Sequence, residues 1–439
     1  MATFAPADSS AVPAELRIPE HIARTVFSPQ AYADDEVIYP ALEWLRNNIP
    51  LGLSEVPGFD PIWIVTKNAD IRTVSKNAKL FPSSGFNAIL NDKAGDEFLR
   101  QTNDGKSHAL ESLTFMDPPV HTKWRNLTSS YFQPGNIAKL SAKMRVMAKE
   151  SVDRLLSFDG ECDFAKEFAL LYPLRVMMTL IGVPPEDEPR MLRLTQDFYG
   201  GADPEEQRAE VVEDPIAAAK QWHAAVQDFY RYFDGLTADR RKNPQDDLVS
   251  LIANAEVDGA PVPYDIANGY YVALAAAGHD TTSSTTAGGM YGLLKFPGEF
   301  EKFKTDPVGL ASSFVEEAIR WACPVKHFLR STSEDVEVSG VQIPAKSRLF
   351  LSYPAGCRDE EEFERPNDFI VDRKPNNHVG FGFGPHVCLG LSLARLELKI
   401  LFEELIPQLK SMELAGTPKQ MEGNFLSGIK SMPVRFTKA

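Results

Sequence analysis

A cysteine set among glycines near the end of the chain constrains this protein more than any other feature. Residues 381–390 read FGFGPHVCLG, and LSLARLELKILFEELIPQLK follows almost at once. A buried structural thiol needs no glycine on either side of it. A loop pressed against something large and flat does. Gly382 and Gly384 permit close backbone approach and positive φ. Gly390 omits a side chain where one would collide with a planar ring. The helix after Cys388 points its positive end at the sulfur and favours the thiolate. Backbone amides can hydrogen-bond the sulfur, and Phe381 can cover it from water. Three readings of Cys388 compete: a buried free thiol, a zinc or iron–sulfur ligand, and a thiolate on heme iron. The second needs three or four Cys or His ligands at recognisable spacing, and only His386 lies nearby. The neighbours favour the third.

The rest of the chain supplies a body for such a loop. With 439 residues, 43% of them hydrophobic, it can bury a sizeable core. Its net charge of −15 argues against a broad nucleic-acid surface. Cys162, Cys323, Cys357 and Cys388 form no CxxC pair and no disulfide framework, which suits a reducing, cytoplasmic compartment. The first residues lack the basic-then-apolar pattern of a signal peptide, and no run approaches the ~20 apolar residues of a membrane span. A soluble protein with no membrane partner is expected.

Residues 1–30 read as an irregular arm. Val37, Ala41, Leu42 and Leu45 fall at helical spacing within 31–48, and 58–71 reads as a strand with a helix starting at Asn68. Residues 85–115 suggest a mobile loop. From 130 to 235 the pattern is almost wholly helical, broken at 182–189 and 200–207. Asp265 is the expected N-cap of a long helix running to about Lys295, where Phe296-Pro297-Gly298 stops it. DVEVSGVQI (335–343) signals a hairpin turning at Ser339-Gly340, and RLFLSY (348–353) another strand. Leu389, Leu393, Leu396 and Ile400 form one stripe after the cysteine. NFLSGIKSMPVRF reads as a last hairpin. The sum is a mainly α chain with a small β region, one large domain spanning 1–439.

FGFGPHVCLG with the following LARLE resembles the heme-binding loop of the cytochrome P-450 superfamily, with Phe381, Gly384, Cys388 and Gly390 at its fixed positions. The resemblance implies the P-450 fold, with a long central helix over heme b (iron protoporphyrin IX) and Cys388 on the metal. Other motifs appear in family order. In ALAAAGHDTTSS (273–284), small Ala277 and Gly278 let a ring lie against the helix, and a threonine hydroxyl can bond the preceding turn and loosen it. The resemblance gives Thr281 the task of steadying activated oxygen and Asp280 that of relaying protons, with none for His279. Glu317 and Arg320 in FVEEAIRW, with Arg373 in FERPNDFIVDR, resemble the family's buried structural triad. His121 and Arg125 in MDPPVHTKWR, Arg330, and His386 match positions that hold the heme propionates. Cys357 stands where relatives carry a polar residue.

Nearly the whole chain takes part. IPEHIARTV (18–26), SLTFMDPP (112–119), FDGECDF (158–164) and VRFTKA (434–439) are similar to the α-terpineol-hydroxylating branch of the family. The implied activity is a heme-thiolate monooxygenase acting on a small hydrophobic substrate, a monoterpenoid or an alkyl-aromatic. Implied pocket walls are the 85–110 loop, the 185–210 segment, Ala273, Ala277, Val325, Phe328, Phe425 and Leu426. No flavin or NAD fingerprint occurs, so electrons come from a [2Fe–2S] ferredoxin and its flavin-dependent reductase, docking against Lys123, Arg125 and Lys374; a monomer is expected. Two rivals stand beside this reading. A heme-based sensor without turnover would not need Asp280-Thr281. A peroxide-driven peroxygenase would carry Arg-Pro in place of that pair.

Overall fold

The computed structural model describes residues 12–207 and 216–439. Its axis is the helix Tyr264–Lys295, 32 residues or about 48 Å long. Helices Leu171–Ile181, Glu188–Tyr199, Ala217–Lys242 and Pro307–Ala322 pack around it. Glycines set one of these approaches: a Cβ on Gly288 would lie 2.7 Å from Ala322, and one on Gly289 2.9 Å from Ala318. Pro263 occupies the cap position of the long helix. Asp265 therefore is not the N-cap; it sits in the first turn, where its charge still meets the positive helix end.

A four-stranded sheet flanks the helices in the order Leu51–Ser54, Ile62–Val65, Arg348–Ser352, His327–Ser331. Its central pair is parallel, Trp63 opposite Leu349, and the outer pairs are antiparallel. Central strands buried on both faces explain the unbroken apolar runs IWIV and LFL. The hairpin at 336–343 turns through Ser339 and Gly340, both at positive φ (48° and 79°), as a two-residue turn requires.

Several expectations change. The arm is not irregular from residue 20 onward: Glu20–Phe27 is a helix burying Ala23, Val26 and Phe27, while residues 1–11 lie outside the described residues. Val37 is 46% exposed, and Ile38 joins Ala41, Leu42 and Leu45 on the buried stripe instead. The 85–115 stretch holds a helix, Lys93–Thr102, capped by Asp92 accepting from the Gly95 amide. The helical tract after 130 is interrupted by a strand, Glu161–Asp163, paired with Pro433–Lys438. The last hairpin does not form: Ile429–Ser431 pairs with Lys419–Gln420, whereas Pro433–Lys438 lies in another sheet between Leu409–Leu414 and Glu161–Asp163. Among the described residues no helix is long and apolar enough to cross a membrane.

Candidate active site

A cavity of about 280 Å³ lies between the cysteine loop and the middle of the long helix. Tight turns build the loop: Gly382 N donates to Val379 O (2.8 Å), Val387 N to Gly384 O (3.0 Å), and Cys388 N to Phe381 O (2.9 Å). Gly382 and Gly384 take φ of 69° and 70°. Gly382, Phe381, Cys388 and Gly390 line the cavity; Gly384 does not. A Cβ on Gly384 would fall 2.2 Å from Ser75 O, so its glycine serves the turn and its packing on helix Asn68–Lys76. A Cβ on Gly390 would meet only the Cys388 sulfur, at 4.0 Å, and the protein leaves that face open.

Burial pushes the Cys388 thiol up; a hydrogen bond from the Gly390 amide and the charges of Arg125 and Arg395 pull it down. Gly390 caps helix Leu391–Leu405, so the helix end does face the sulfur. Arg395 stacks 4.9 Å over the Phe381 ring and is held by Glu316 at 2.6 and 2.8 Å.

Cations converge on the rim with no carboxylate partner. His121, Arg125, Arg330 and His386 all line the cavity. Arg125 donates to Val387 O (2.8 Å), Arg330 to Leu329 O (2.8 Å), and neither forms an ion pair among the described residues. Both ring nitrogens of buried His121 lack a partner, and its ring lies 4.3 Å from that of His386. Burial, then the neighbouring charges, push His121 down to about 4 and His386 to about 2. Four donors, two of them fixed cations, around an apolar slot form a receptor for a flat group carrying two carboxylates. The residues present fit heme b.

Across the cavity, Ala273, Ala277, Gly278 and Thr281 form the wall. The long helix stays α throughout, so small side chains make the space rather than a break. Thr281 Oγ1 donates to Ala277 O (2.7 Å). A Cβ on Gly278 would strike Met177 at 2.5 Å, so this glycine also admits helix Leu171–Ile181. Asp280 points away from the cavity, its Oδ2 buried and unpartnered, and burial raises its pKa.

Glu317, Arg320 and Arg373 do meet: Arg320 grips Glu317 at 2.7 and 2.8 Å, and Arg373 Nε at 3.0 and 3.1 Å. Cys357 accepts from Arg320 through its carbonyl (2.9 Å). Burial acts against ionising its thiol, while Cys323 and nearby positive charge pull it down.

The expected walls divide between two cavities. Val325 and Phe328 line the one beside Cys388. Phe425 and Leu426 do not; with Leu90, Phe198 and Tyr199 from the 85–110 and 185–210 segments they line a neighbouring cavity of about 110 Å³. Phe328 of the first cavity and Phe425 of the second meet ring to ring at 5.3 Å. Sequence reasoning missed Met177, Leu113, Thr114, Tyr353 and Glu397, which also line the main cavity. Met177 reads as ordinary core within LRVMMTLIG, and only the LARLE motif pointed near Glu397, whose carboxyl burial drives up to about 8. Arg125 turns inward, while Lys123, paired with Asp258 (2.5 Å), and Lys374 are both exposed.

A helical body, a thiol loop facing the long helix across an apolar slot, and a cationic rim together define a heme-dependent oxygenase. Residues 308–436 match the family model described as Cytochrome P450. The chain is 50% identical over 427 residues, 97% of its length and 100% of the relative's, to Cytochrome P450-terp of a Pseudomonas species. It is 32% identical over 402 residues, 90% of each chain, to a steroid C26-monooxygenase of Mycolicibacterium smegmatis. Its fold is similar to that of CYP108D1 from Novosphingobium aromaticivorans, with TM-score 0.88 and 38% identity over 96% of this chain and 100% of that one. A Mycobacterium marinum cytochrome P450 in complex with pseudoionone gives TM-score 0.85 at 31% identity, covering 98% and 100%. The chain belongs to the cytochrome P450 family and is a heme b monooxygenase.

Proposed function

We propose that this enzyme hydroxylates a small hydrophobic substrate, a monoterpenoid or an alkyl-aromatic, with O₂ and electrons from a [2Fe–2S] ferredoxin. The carrying observation is the apolar wall of Ala273, Ala277, Val325 and Phe328 in the cavity that Cys388 also lines. The half-identical relative's name, Cytochrome P450-terp, and the pseudoionone in a structural neighbour support the substrate class.

When bound, heme supplies oxygen activation and C–H oxidation, tuned by its thiolate ligand. Cys388 would hold the iron, with the Gly390 amide tempering the charge on sulfur. His121, Arg125, Arg330 and His386 would bind the propionates, which fills the vacant bonds of His121. Thr281 donates its hydroxyl hydrogen bond back to Ala277 O, so its oxygen lone pairs are free to accept a hydrogen bond in the slot. Asp280, whose pKa burial raises, is the proton relay behind it. Apolar walls hold the substrate and exclude water.

The test joins spectrum to turnover. The reduced carbon monoxide complex should absorb at the strongly red-shifted position of thiolate ligation, and Cys388→His should abolish it. Ferredoxin, reductase, NADH and O₂ should yield hydroxylated product from a monoterpenoid alcohol, while peroxide alone should not. Ligand binding without product would establish the sensor reading in place of this one.

A further inference from the structure

His327 opens strand His327–Ser331 and is fully buried, yet it lines neither cavity. Its two nitrogens hold two distant segments. Leu90 N stands 2.9 Å from Nε2, and Asn424 O stands 2.8 Å from Nδ1. An amide N–H only donates and a carbonyl only accepts, so Nε2 is the bare nitrogen and Nδ1 carries the hydrogen. The ring, fixed in that tautomer, stacks on Phe350 at 4.4 Å. Leu90 and Asn424 are both walls of the cavity of about 110 Å³. One imidazole therefore clasps two walls of a space it does not touch.

The same strand end carries the boundary between the cavities. Val325 bridges to Leu426, Lys326 N donates to Phe425 O (2.8 Å), and the Phe328 ring lies 5.3 Å from that of Phe425. Val325 and Phe328 belong to the cavity that Cys388 lines, Phe425 and Leu426 to the second. Two residues of one cavity thus back onto two of the other. The backbone bond at Phe425 O leaves its ring to be oriented by neighbouring side chains. His327 meets that ring edge-on, 5.6 Å between centroids at 71°, a preferred aromatic geometry. It also holds the Asn424 carbonyl, one residue before.

We propose that His327 is a positioning residue for chain-length selectivity. By holding Asn424 and the Phe425 ring it keeps the two cavities apart, so that a ligand beside the cysteine loop is confined to the slot and short apolar substrates are preferred. This rests on the reading of the slot as the substrate site. With the clasp released, an extended aliphatic chain continues from the slot into the second cavity, where Ile89, Leu99, Phe198 and Trp222 offer apolar surface.

The experiment uses the heme-loaded enzyme and 1-alkylimidazoles from butyl to dodecyl, whose head group binds the iron and whose tail reports the space beyond it. Dissociation constants are read from the Soret shift. Each CH₂ that leaves water should tighten binding about fourfold until the slot is full, and the gain should then stop. His327→Gln keeps an acceptor at the Nε2 position and drops the donor to Asn424 O. There the gain should continue to longer chains, with dodecyl bound about tenfold tighter than by wild type. His327→Asn keeps a donor at the Nδ1 position and should stop where wild type stops. His327→Phe keeps the stack on Phe350 but neither hydrogen bond; it should extend the series as His327→Gln does, and decides the matter where His327→Gln loses heme. Lost packing alone would weaken every chain length alike and leave the break in place. That result, or a wild-type series without a break, overturns the proposal. Failure of wild type to hydroxylate a monoterpenoid alcohol overturns the substrate reading instead and does not move the break.

Discussion

Replacing Glu317 by Gln tests the tie that fixes the 357–376 segment, which leads into the cysteine loop, to the helical body. The Glu317 carboxylate accepts from Arg320 at 2.7 and 2.8 Å, Arg373 at 3.0 and 3.1 Å, the Ile370 amide at 2.8 Å and Asn376 at 3.1 Å. Glu317 and Arg320 are fully buried and Arg373 is 6% exposed. Gln keeps the shape but turns an NH₂ toward donors and leaves two buried guanidinium charges with no anion. Arg320 cannot retreat to water, because Cys357, Pro366 and Asp368 carbonyls also hold it. Breaking such a network costs about 3–5 kcal/mol, a large share of a typical 5–15 kcal/mol. At ~2.1 cal/mol/K per residue, unfolding 439 residues carries about 0.9 kcal/mol/K, so Tm should fall by roughly 3–6 °C. Calorimetry of the ferric protein reads this, and the absorbance ratio of heme to protein reads retention. The adjacent Glu316→Gln is an internal control. Its carboxyl is 26% exposed, so losing its pairs with Arg395 and His378 should cost less than the Glu317 change. Equal, small shifts at both positions would refute the argument from burial.

Other perturbations probe the site. Thr281→Ala should keep the heme spectrum and lower product per NADH by about tenfold or more, with peroxide accumulating instead; unchanged coupling refutes its role. Burial holds His327 at about 3 instead of the ordinary 6.5. The unfolded imidazole takes a proton below 6.5 that the folded one refuses, so stability should fall as pH drops from 6.5 toward 3, by up to ~1.4 kcal/mol per unit. Urea titrations of wild type and His327→Asn should differ in that slope. Phe425→Ala should join the two cavities, weakening binding of a small terpenoid by about threefold to tenfold and favouring longer ligands, as read by spin-state titration. Lys374→Glu should raise the apparent KM for ferredoxin, less so at high salt.

Much of the fold was legible because its signals are local. The long helix announces itself through a tract with a proline on each side, and the 336–343 hairpin through Ser339-Gly340 at the turn. What failed depends on partners far along the chain. Val434 sits opposite Cys162, a pairing that no window of ten residues contains, so the short strand at 161–163 vanished into a helical tract. The closing strands looked like a hairpin because they are adjacent in sequence, yet Asp163 accepts the Met432 amide between them and steers the second into a different sheet. In 85–115, glycines at 85, 95 and 105 masked the Asp92 cap that starts a real helix.

The same distinction explains the site. A thiolate loop needs its glycines within ten residues of the cysteine, so its chemistry is written in one stretch. A cavity wall has no such rule. Met177, Thr114 and Tyr353 come from three distant segments and reach the slot only through helix packing and sheet order. Even a residue inside a recognised motif can change meaning: Gly384 obeys the loop pattern but answers to Ser75, and Gly278 answers to Met177. His279 is the reverse case. Its partners Leu170 and Thr195 lie over 80 residues away. Only the packed helices show that its two nitrogens are committed.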